Sequence, residues 1–176
     1  MIGDLGKSAP ARIAIIYSYD AQWLLRAQPQ GRSFSYIEQI FSIYRSLRAM
    51  GLDIDIVGPD AALDAYEMVV LPSMPYVPNG LAQALAVFNG VLLVMPRSGS
   101  RTKSHWIPEG LAPGPLCNLL GIRITRVESF RAGASVPVRF NDSYHSFDRW
   151  REFVDVVQGE ALALTEDGHP ALTLNG

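Results

Sequence analysis

The feature that most constrains this sequence is a series of short, β-branched apolar runs punctuated by glycine and proline. Four such runs lie in the first 95 residues: residues 12–17 (RIAIIY), 66–71 (YEMVVL) and 91–95 (VLLVM) are nearly continuous, whereas residues 52–57 (LDIDIV) alternate. Short continuous apolar runs are typical of strands that are buried on both faces of a parallel sheet. All are far shorter than the roughly 20 residues that a membrane-spanning helix needs. The sequence therefore predicts a buried sheet and no membrane partner.

An amphipathic helix follows the first run. Its apolar residues recur at three- and four-residue spacing, which predicts a single stripe that packs on the core. Ser35 and Glu38 have the spacing of a capping box at its start, and Gly51 provides a left-handed exit at its end. The stripe consists of Ile37, Ile40, Phe41, Tyr44 and Leu47.

The remaining segments complete a predicted α/β domain. Residues 18–33 are polar and lack a period, so we expect an irregular loop there. Asn79 is expected to cap a helix through residue 88, which gives the order β-α-β-β-α-β. This order favours a mainly parallel sheet with helices on both faces. Beyond residue 96 we expect a long loop, a short helix over 115–120, and strands over 122–127, 154–157, 161–165 and 171–174, with a turn at Asp167-Gly168.

Composition excludes several classes of function. The chain has 176 residues, 48% of them hydrophobic and 18% charged, which favours one domain with a packed core. Fifteen basic and seventeen acidic residues give a net charge of -2, so no nucleic-acid partner is predicted. Cys117 is the sole cysteine and cannot form an internal disulfide. Since no basic-then-apolar leader precedes the first strand, we expect a cytoplasmic protein.

Five stretches of the sequence carry a family resemblance. In order they are RIAIIYSYDAQW, YRSLRAMGLDIDIV, YEMVVLPSMPYV, LLVMPRSGSRTKSHW and PGPLCNLLGIRI. Their order and spacing resemble those of the β-galactosidase trimerisation domain, the middle domain of family 42 glycoside hydrolases. The resemblance runs from about residue 12 to 127, with a weaker echo through Asn175. It divides the chain into a flexible leader over residues 1–11 and a domain over residues 12–176.

The resemblance implies a flavodoxin-like, three-layer α/β/α sandwich, similar to class I glutamine amidotransferases but without their catalytic residues. It also implies a non-catalytic homotrimerisation role, with the domain packed against neighbouring barrels that hold the two cutting carboxylates of a β-galactosidase. No cofactor is implied. The family continues with a Gly-Lys-Gly-Arg-like turn and another strand, whereas this sequence ends at Asn175-Gly176. We therefore expect a domain shortened at its carboxyl end, either trimmed or a standalone homologue.

The amidotransferase likeness raises the alternative of an enzyme or a small-molecule binder. Its nucleophile would lie on the turn after residues 91–95, but that turn reads PRSGS and has no cysteine. Cys117 follows Leu116 in an apolar segment, which indicates an inert buried thiol. Ser98 lacks a Gly-x-Ser-x-Gly frame, and Ala171 follows His169-Pro170 where an orienting acid would be needed. The three histidines have no ligand spacing, so no metal site is predicted.

Residues after the strand ends are the best candidates for contact with a partner or for a position close to substrate. Doubly wound folds place their ligands there, and tryptophan and arginine are enriched at interfaces. Aromatic residues that cover the edge of the core are an equally good interpretation. The candidates are Tyr19, Asp20, Trp23, Arg97, His105 and Trp106.

Overall fold

The computed structural model describes residues 11–29, 31 and 34–176. It contains a parallel sheet with helices, followed by antiparallel strands. All of the predicted leader except Ala11 lies outside the described residues. None of the helices in the described ranges combines the length and apolar character of a membrane span.

Four parallel strands form the first sheet, in the order β2-β1-β3-β4. This is a flavodoxin-like order, in which the chain reverses its direction of travel between β1 and β3. The central strands β1 and β3 are almost entirely buried, as their uninterrupted apolar runs predict. The bounds are β1 (Ile13–Ile16), β2 (Ile54–Val57), β3 (Met68–Leu71) and β4 (Val91–Val94).

Strand β4 lies at one edge of this sheet and hydrogen-bonds to β3 alone among the described strands. Val91 is exposed, and Leu92, Leu93 and Val94 are partly buried. A cavity of about 200 Å³ separates this strand from the C-terminal strands. The apolar run that predicted β4 is therefore less enclosed than the runs of β1 and β3.

The predicted loop over residues 18–33 is wrong, because helix α1 (Tyr19–Ala27) occupies much of it. Ser18 is its N-cap, and the Ser18 hydroxyl accepts a 3.2 Å hydrogen bond from the Ala21 amide. Only Ala21 and Leu25 of this helix are buried. Two helices rather than one therefore separate β1 from β2.

Helix α2 (Tyr36–Ala49) confirms both predicted ends: the Ser35 hydroxyl accepts from the Glu38 amide at 3.3 Å, and Gly51 has a φ of +80°. The predicted core stripe is only partly right. Ile40 is buried, but Ile37 and Phe41 are 52% and 57% exposed. Tyr44 and Leu47 also pack against the core as predicted, and Tyr36 and Ile43 join them there. Helix α2 therefore carries a second apolar strip, Ile37 and Phe41, toward solvent.

Helix α3 (Asn79–Ala86) begins at Asn79, but Pro78 is the N-cap and no side chain caps the helix. The predicted cap at Asn79 is therefore wrong by one position. The predicted short helix is a 3-10 turn over Gly114–Leu116 followed by α4 (Cys117–Leu120).

The C-terminal half is antiparallel. Strand β5 (Ile122–Ser129) pairs with β8 (Trp150–Val156), and the second sheet has the order β10-β9-β6-β7. The hairpin of β6 (Val136–Phe140) and β7 (Ser143–Phe147) was not predicted, because Pro137 interrupts the short apolar alternation of β6 and the residues of β7 are mostly exposed. Strands β9 (Glu160–Thr165) and β10 (Pro170–Leu174) confirm the predicted pair, with Gly168 at a φ of +84° in the turn.

Candidate functional site

The six predicted site residues lie in two groups at one edge of the parallel sheet. Tyr19, Asp20 and Trp23 lie on α1 directly after β1, whereas the other three lie in the loop that follows β4. The carboxyl ends of parallel strands meet at the same edge, which brings the two groups to one side of the domain. The Arg97 guanidinium joins them, because its Nη2 donates to the Gln28 carbonyl at the end of α1 over 3.2 Å.

An aromatic patch made of Tyr17, Tyr19 and Trp23 dominates the first group. Tyr19 and Trp23 are one helical turn apart, 65% and 63% exposed, with ring centroids separated by 6.2 Å. Tyr17 meets Tyr19 edge-on at 5.0 Å. Because Tyr19 and Trp23 point to solvent, they do not cover the core edge as one interpretation of the sequence expected. Exposed aromatic residues of this kind are typical of contact surfaces.

Tyr36 supports this patch from below. Its ring is buried and lies 5.8 Å from the Tyr17 ring, and its hydroxyl accepts a 3.4 Å hydrogen bond from the Ser18 amide. Burial raises the pKa of Tyr36 to about 12. The patch is thus carried by a fixed side chain under the start of α1.

A groove of about 350 Å³ runs between the start of α1 and the end of β2. Among the described residues that line it, Asp20 alone is charged, and Tyr19, Ile56 and Pro59 form much of the wall. We name it the acidic groove. Asp60 follows directly after Pro59 and is exposed, so a second carboxylate lies beside the groove.

Arg97 lies inside the fold and supports the site without lining the surface. Its side chain is buried, and its guanidinium lies 5.5 Å from the centre of the Trp150 ring. The Arg97 amide donates to Glu152 Oε1 at 2.8 Å. Burial, with the nearby charge of Arg101, lowers the pKa of Arg97 to about 10. Its Nη1 is buried and has no hydrogen-bond partner among the described residues.

His105 and Trp106 lie in a tight turn that projects from the loop after β4. The Thr102 amide donates to the Trp106 carbonyl at 2.8 Å, and the Trp106 amide donates to the Thr102 hydroxyl at 3.2 Å. His105 has a φ of +64° within this turn. The Trp106 side chain and its neighbour Ile107 are both exposed. This turn is a second exposed apolar feature at the same edge.

Below this turn lies a groove of about 610 Å³ that the sequence did not predict. Three cationic side chains line it, those of Arg101, Lys103 and Arg123, and none of its described lining residues is a carboxylate. We name it the basic groove. Arg123 lies on β5, far along the chain from the other two, so only the folded structure brings the cations together. The signal available in the sequence was the pair Arg101 and Lys103 after β4.

Comparison with known proteins identifies the family of this chain. A family model described as the β-galactosidase trimerisation domain matches residues 11–176. The chain belongs to this family. The β-galactosidase BgaA of Thermus sp. is 38% identical over 160 residues, which cover 91% of the chain and 25% of that protein. The β-galactosidase of Thermus thermophilus is 37% identical over 168 residues, covering 96% of the chain and 26% of that protein.

Solved structures agree with this family assignment. The β-galactosidase of Marinomonas ef1 superposes with a TM-score of 0.89 at 35% identity, covering 94% of this chain and 25% of that one. The enzyme of Halorubrum lacusprofundi gives 0.88 at 30% identity, covering 98% and 27%. The resemblance drawn from the sequence and the flavodoxin-like fold are both confirmed. The chain spans about a quarter of the length of these relatives.

The three residues that the amidotransferase likeness raised, and that the sequence argued against as catalytic groups, make structural contacts in this trimerisation domain. The Ser98 hydroxyl is buried; it accepts from the Met74 amide at 3.2 Å and lies 2.9 Å from the Met95 carbonyl oxygen. Cys117 is partly buried, and burial raises the pKa of its thiol. The His169 ring packs edge-on against Phe153 at 4.8 Å. Among the described residues, no group of three His, Cys, Asp or Glu side chains could hold a metal.

Proposed function

We propose that this trimerisation-family chain is a non-catalytic domain that holds a family 42-like β-galactosidase together as a homotrimer. In this proposal the domain spans residues 12–176, packs against the catalytic barrels of neighbouring subunits and works in the cytoplasm. The galactosidase activity and its place in carbohydrate metabolism belong to the parent protein. The exposed aromatic pair Tyr19 and Trp23 at the strand-end edge is the observation that carries the proposal.

The aromatic patch has the properties of an interface anchor. Tyr and Trp bury a large area with little loss of side-chain freedom, and they dominate the energetics of many interfaces. Tyr19 and Trp23 are held on one face of α1, and Tyr17 packs edge-on against Tyr19, so the patch is preformed. A preformed surface loses less conformational entropy on association. Burial of this patch against a neighbouring subunit is therefore favourable.

The test is the assembly state of the protein at its natural length. Tyr19→Ser and Trp23→Ala are expected to weaken the trimer at least about tenfold each, because each removes an aromatic anchor. Tyr144→Ser is the matched control, since Tyr144 is 78% exposed but lies on β7 of the other sheet. Sedimentation velocity over a dilution series measures the effect. Equal trimer stability in Tyr19→Ser, Trp23→Ala and the wild type would contradict the proposal.

An amidotransferase-like enzyme or small-molecule binder is not favoured. Ser98 is buried and surrounded by backbone hydrogen-bond partners, and Arg97 takes up the left-handed position of the turn, with a φ of +71°. A thermal-shift series with glutamine, galactose and nucleotides distinguishes the two functions. The proposal expects no saturable shift with glutamine or nucleotides, and any shift with galactose, a ligand of the parent's catalytic barrel, should be unchanged in Ser98→Ala. A large, saturable shift that is lost in Ser98→Ala would support the alternative instead.

A further inference from the structure

Two grooves of opposite charge lie at the same edge of the parallel sheet. The acidic groove lies where β1 and β2 end, and the basic groove lies beyond the ends of β3 and β4. The strand order β2-β1-β3-β4 places them on opposite sides of the point where the chain reverses direction. The edge therefore carries carboxylates at one end and three cations at the other, where the exposed Glu109 lies between the lining residues Pro108 and Gly110.

The charges of the two grooves are not neutralised within the domain. Asp20 and Asp60 make no ion pair among the described residues, and neither do Arg101, Lys103 and Arg123. Arg101 is held in place, because its amide donates to the Pro75 carbonyl at 2.8 Å. Its Nη1 also donates to the Ser100 carbonyl at 3.1 Å. The basic groove thus keeps its cations available for an outside partner.

A cyclic trimer requires two different contact faces on each subunit. Three copies related by a threefold axis meet head to tail, so one face of each copy contacts a different face of the next. We propose that the basic groove of one copy receives the rim of the acidic groove, Asp20 and Asp60, of the next copy of this chain. This inference rests on the proposed trimerisation and names the partner surface. Opposite charges at the two faces also favour this docking direction over contacts between like faces.

The aromatic patch and the charged grooves have separate roles in this arrangement. The patch adjoins the acidic groove, since Tyr19 belongs to both, and it provides the apolar area. The carboxylates and the cations set the register between copies. Electrostatic complementarity acts mainly on specificity and on association rate, and salt screens it. The trimer is therefore expected to weaken as salt rises from about 0.05 M to about 0.5 M.

Charge exchange tests the inference in the protein at its natural length. One variant carries K103E and R123E, and a second carries D20K and D60K. Each should weaken the trimer at least about tenfold, since like charges then face each other. A variant with all four substitutions restores complementary faces and should trimerise as the wild type does. A control with R139E and D142K, two exposed residues of the β6–β7 hairpin, should leave the trimer unchanged.

The mixture of the two double variants gives a further readout. Each double variant alone carries the same charge on both of its contact faces. Where the two variants alternate in an assembly, every groove faces a groove of opposite charge. A ring of three cannot alternate, so each trimer in a 1:1 mixture keeps one like-charged contact and should be intermediate in stability between the wild type and either double variant alone. If both double variants trimerise normally, or if the fourfold variant fails to recover, the inference is overturned. If the wild type is monomeric, the proposed trimerisation itself fails, which is a distinct result.

Discussion

The backbone amide of Arg97 donates a 2.8 Å hydrogen bond to Oε1 of Glu152, which joins the turn after β4 to strand β8. The same oxygen accepts from the Trp150 indole Nε1 at 3.3 Å. The Trp150 ring in turn packs on the Arg97 guanidinium. A single carboxylate therefore links the parallel sheet to the antiparallel half of the domain.

Removal of this carboxylate is expected to destabilise the whole domain. Glu152→Ala leaves the Arg97 amide and the Trp150 indole without their acceptor, at a cost of about 2–4 kcal/mol. Glu152→Gln keeps a carbonyl oxygen in the same position and should cost about half as much. Urea denaturation followed by tryptophan fluorescence measures both. A change below about 0.5 kcal/mol in Glu152→Ala would show that the link is dispensable.

Glu152 should also make the stability of the domain depend on pH, and the sign of this dependence follows from its pKa. Burial raises the pKa of Glu152 above its ordinary value of 4.5. A carboxyl with a raised pKa binds its proton more tightly in the folded chain, so its contribution to stability grows as pH falls through that raised pKa. The gain in stability is complete once the pH is below 4.5, the ordinary pKa of this carboxyl. The free energy of unfolding of the wild type should therefore rise relative to Glu152→Gln between about pH 7 and pH 4.5; a constant or falling difference would contradict this.

The N-cap of α1 should contribute a measurable amount of stability. Ser18→Ala removes the hydroxyl that accepts from the Ala21 amide, which should cost about 1 kcal/mol. Ser18→Asp keeps a capping oxygen and should recover part of that cost. Ser42→Ala is the control, because Ser42 is exposed in the middle of α2 and the same substitution there is expected to be neutral or slightly favourable. If denaturant titrations gave equal losses of unfolding free energy for Ser18→Ala and Ser42→Ala, the Ser18 hydroxyl would not act as a stabilising cap.

Gly99 occupies a position that only glycine fits. Its φ is +68°, and a Cβ there would lie 1.9 Å from the Pro113 carbonyl oxygen. Gly99→Ala should therefore cost about 3 kcal/mol or more and displace the loop after β4. Gly110 lies in the same loop, and no atom lies within 4 Å of the position that a methyl group would take there, so Gly110→Ala is the control. Thermal unfolding monitored by circular dichroism compares the two variants. Similar unfolding midpoints would show that the contact between residue 99 and the Pro113 carbonyl does not exclude a side chain.

Much of the parallel sheet was predictable because its central strands are buried on both faces. Such strands carry continuous apolar runs, as β1 and β3 do, and those runs are visible without a structure. Helix α1 was missed because the side that faces solvent carries Tyr19 and Trp23, while few of its residues are buried. Aromatic residues on an exposed face blur the apolar period that identifies a helix.

The candidate site residues were predicted from the positions of the strand ends. The rule that ligands and partners meet the carboxyl ends of parallel strands, together with the family resemblance, directed the prediction to Tyr19, Asp20 and Trp23. The burial of Arg97 was not predictable, because its partners Gln28 and Glu152 are 69 and 55 residues away in sequence. The basic groove has the same origin, since Arg123 reaches it only through the path of β5.

Strand β4 has a consequence for any attempt to handle the domain by itself. Its outer row of amide and carbonyl groups has no strand partner in the described part of the chain, and its sequence, VLLV, has no charge or proline to discourage stacking. An unpaired strand edge can template association with a further strand, but residues 92–94 face the C-terminal strands across the cavity, so only the end at Val91 is open to such contact. Concentrated preparations of the isolated domain are therefore expected to associate through this exposed end. The substitution Val91→Lys, at the exposed first residue of β4, is the conservative way to keep such preparations in solution.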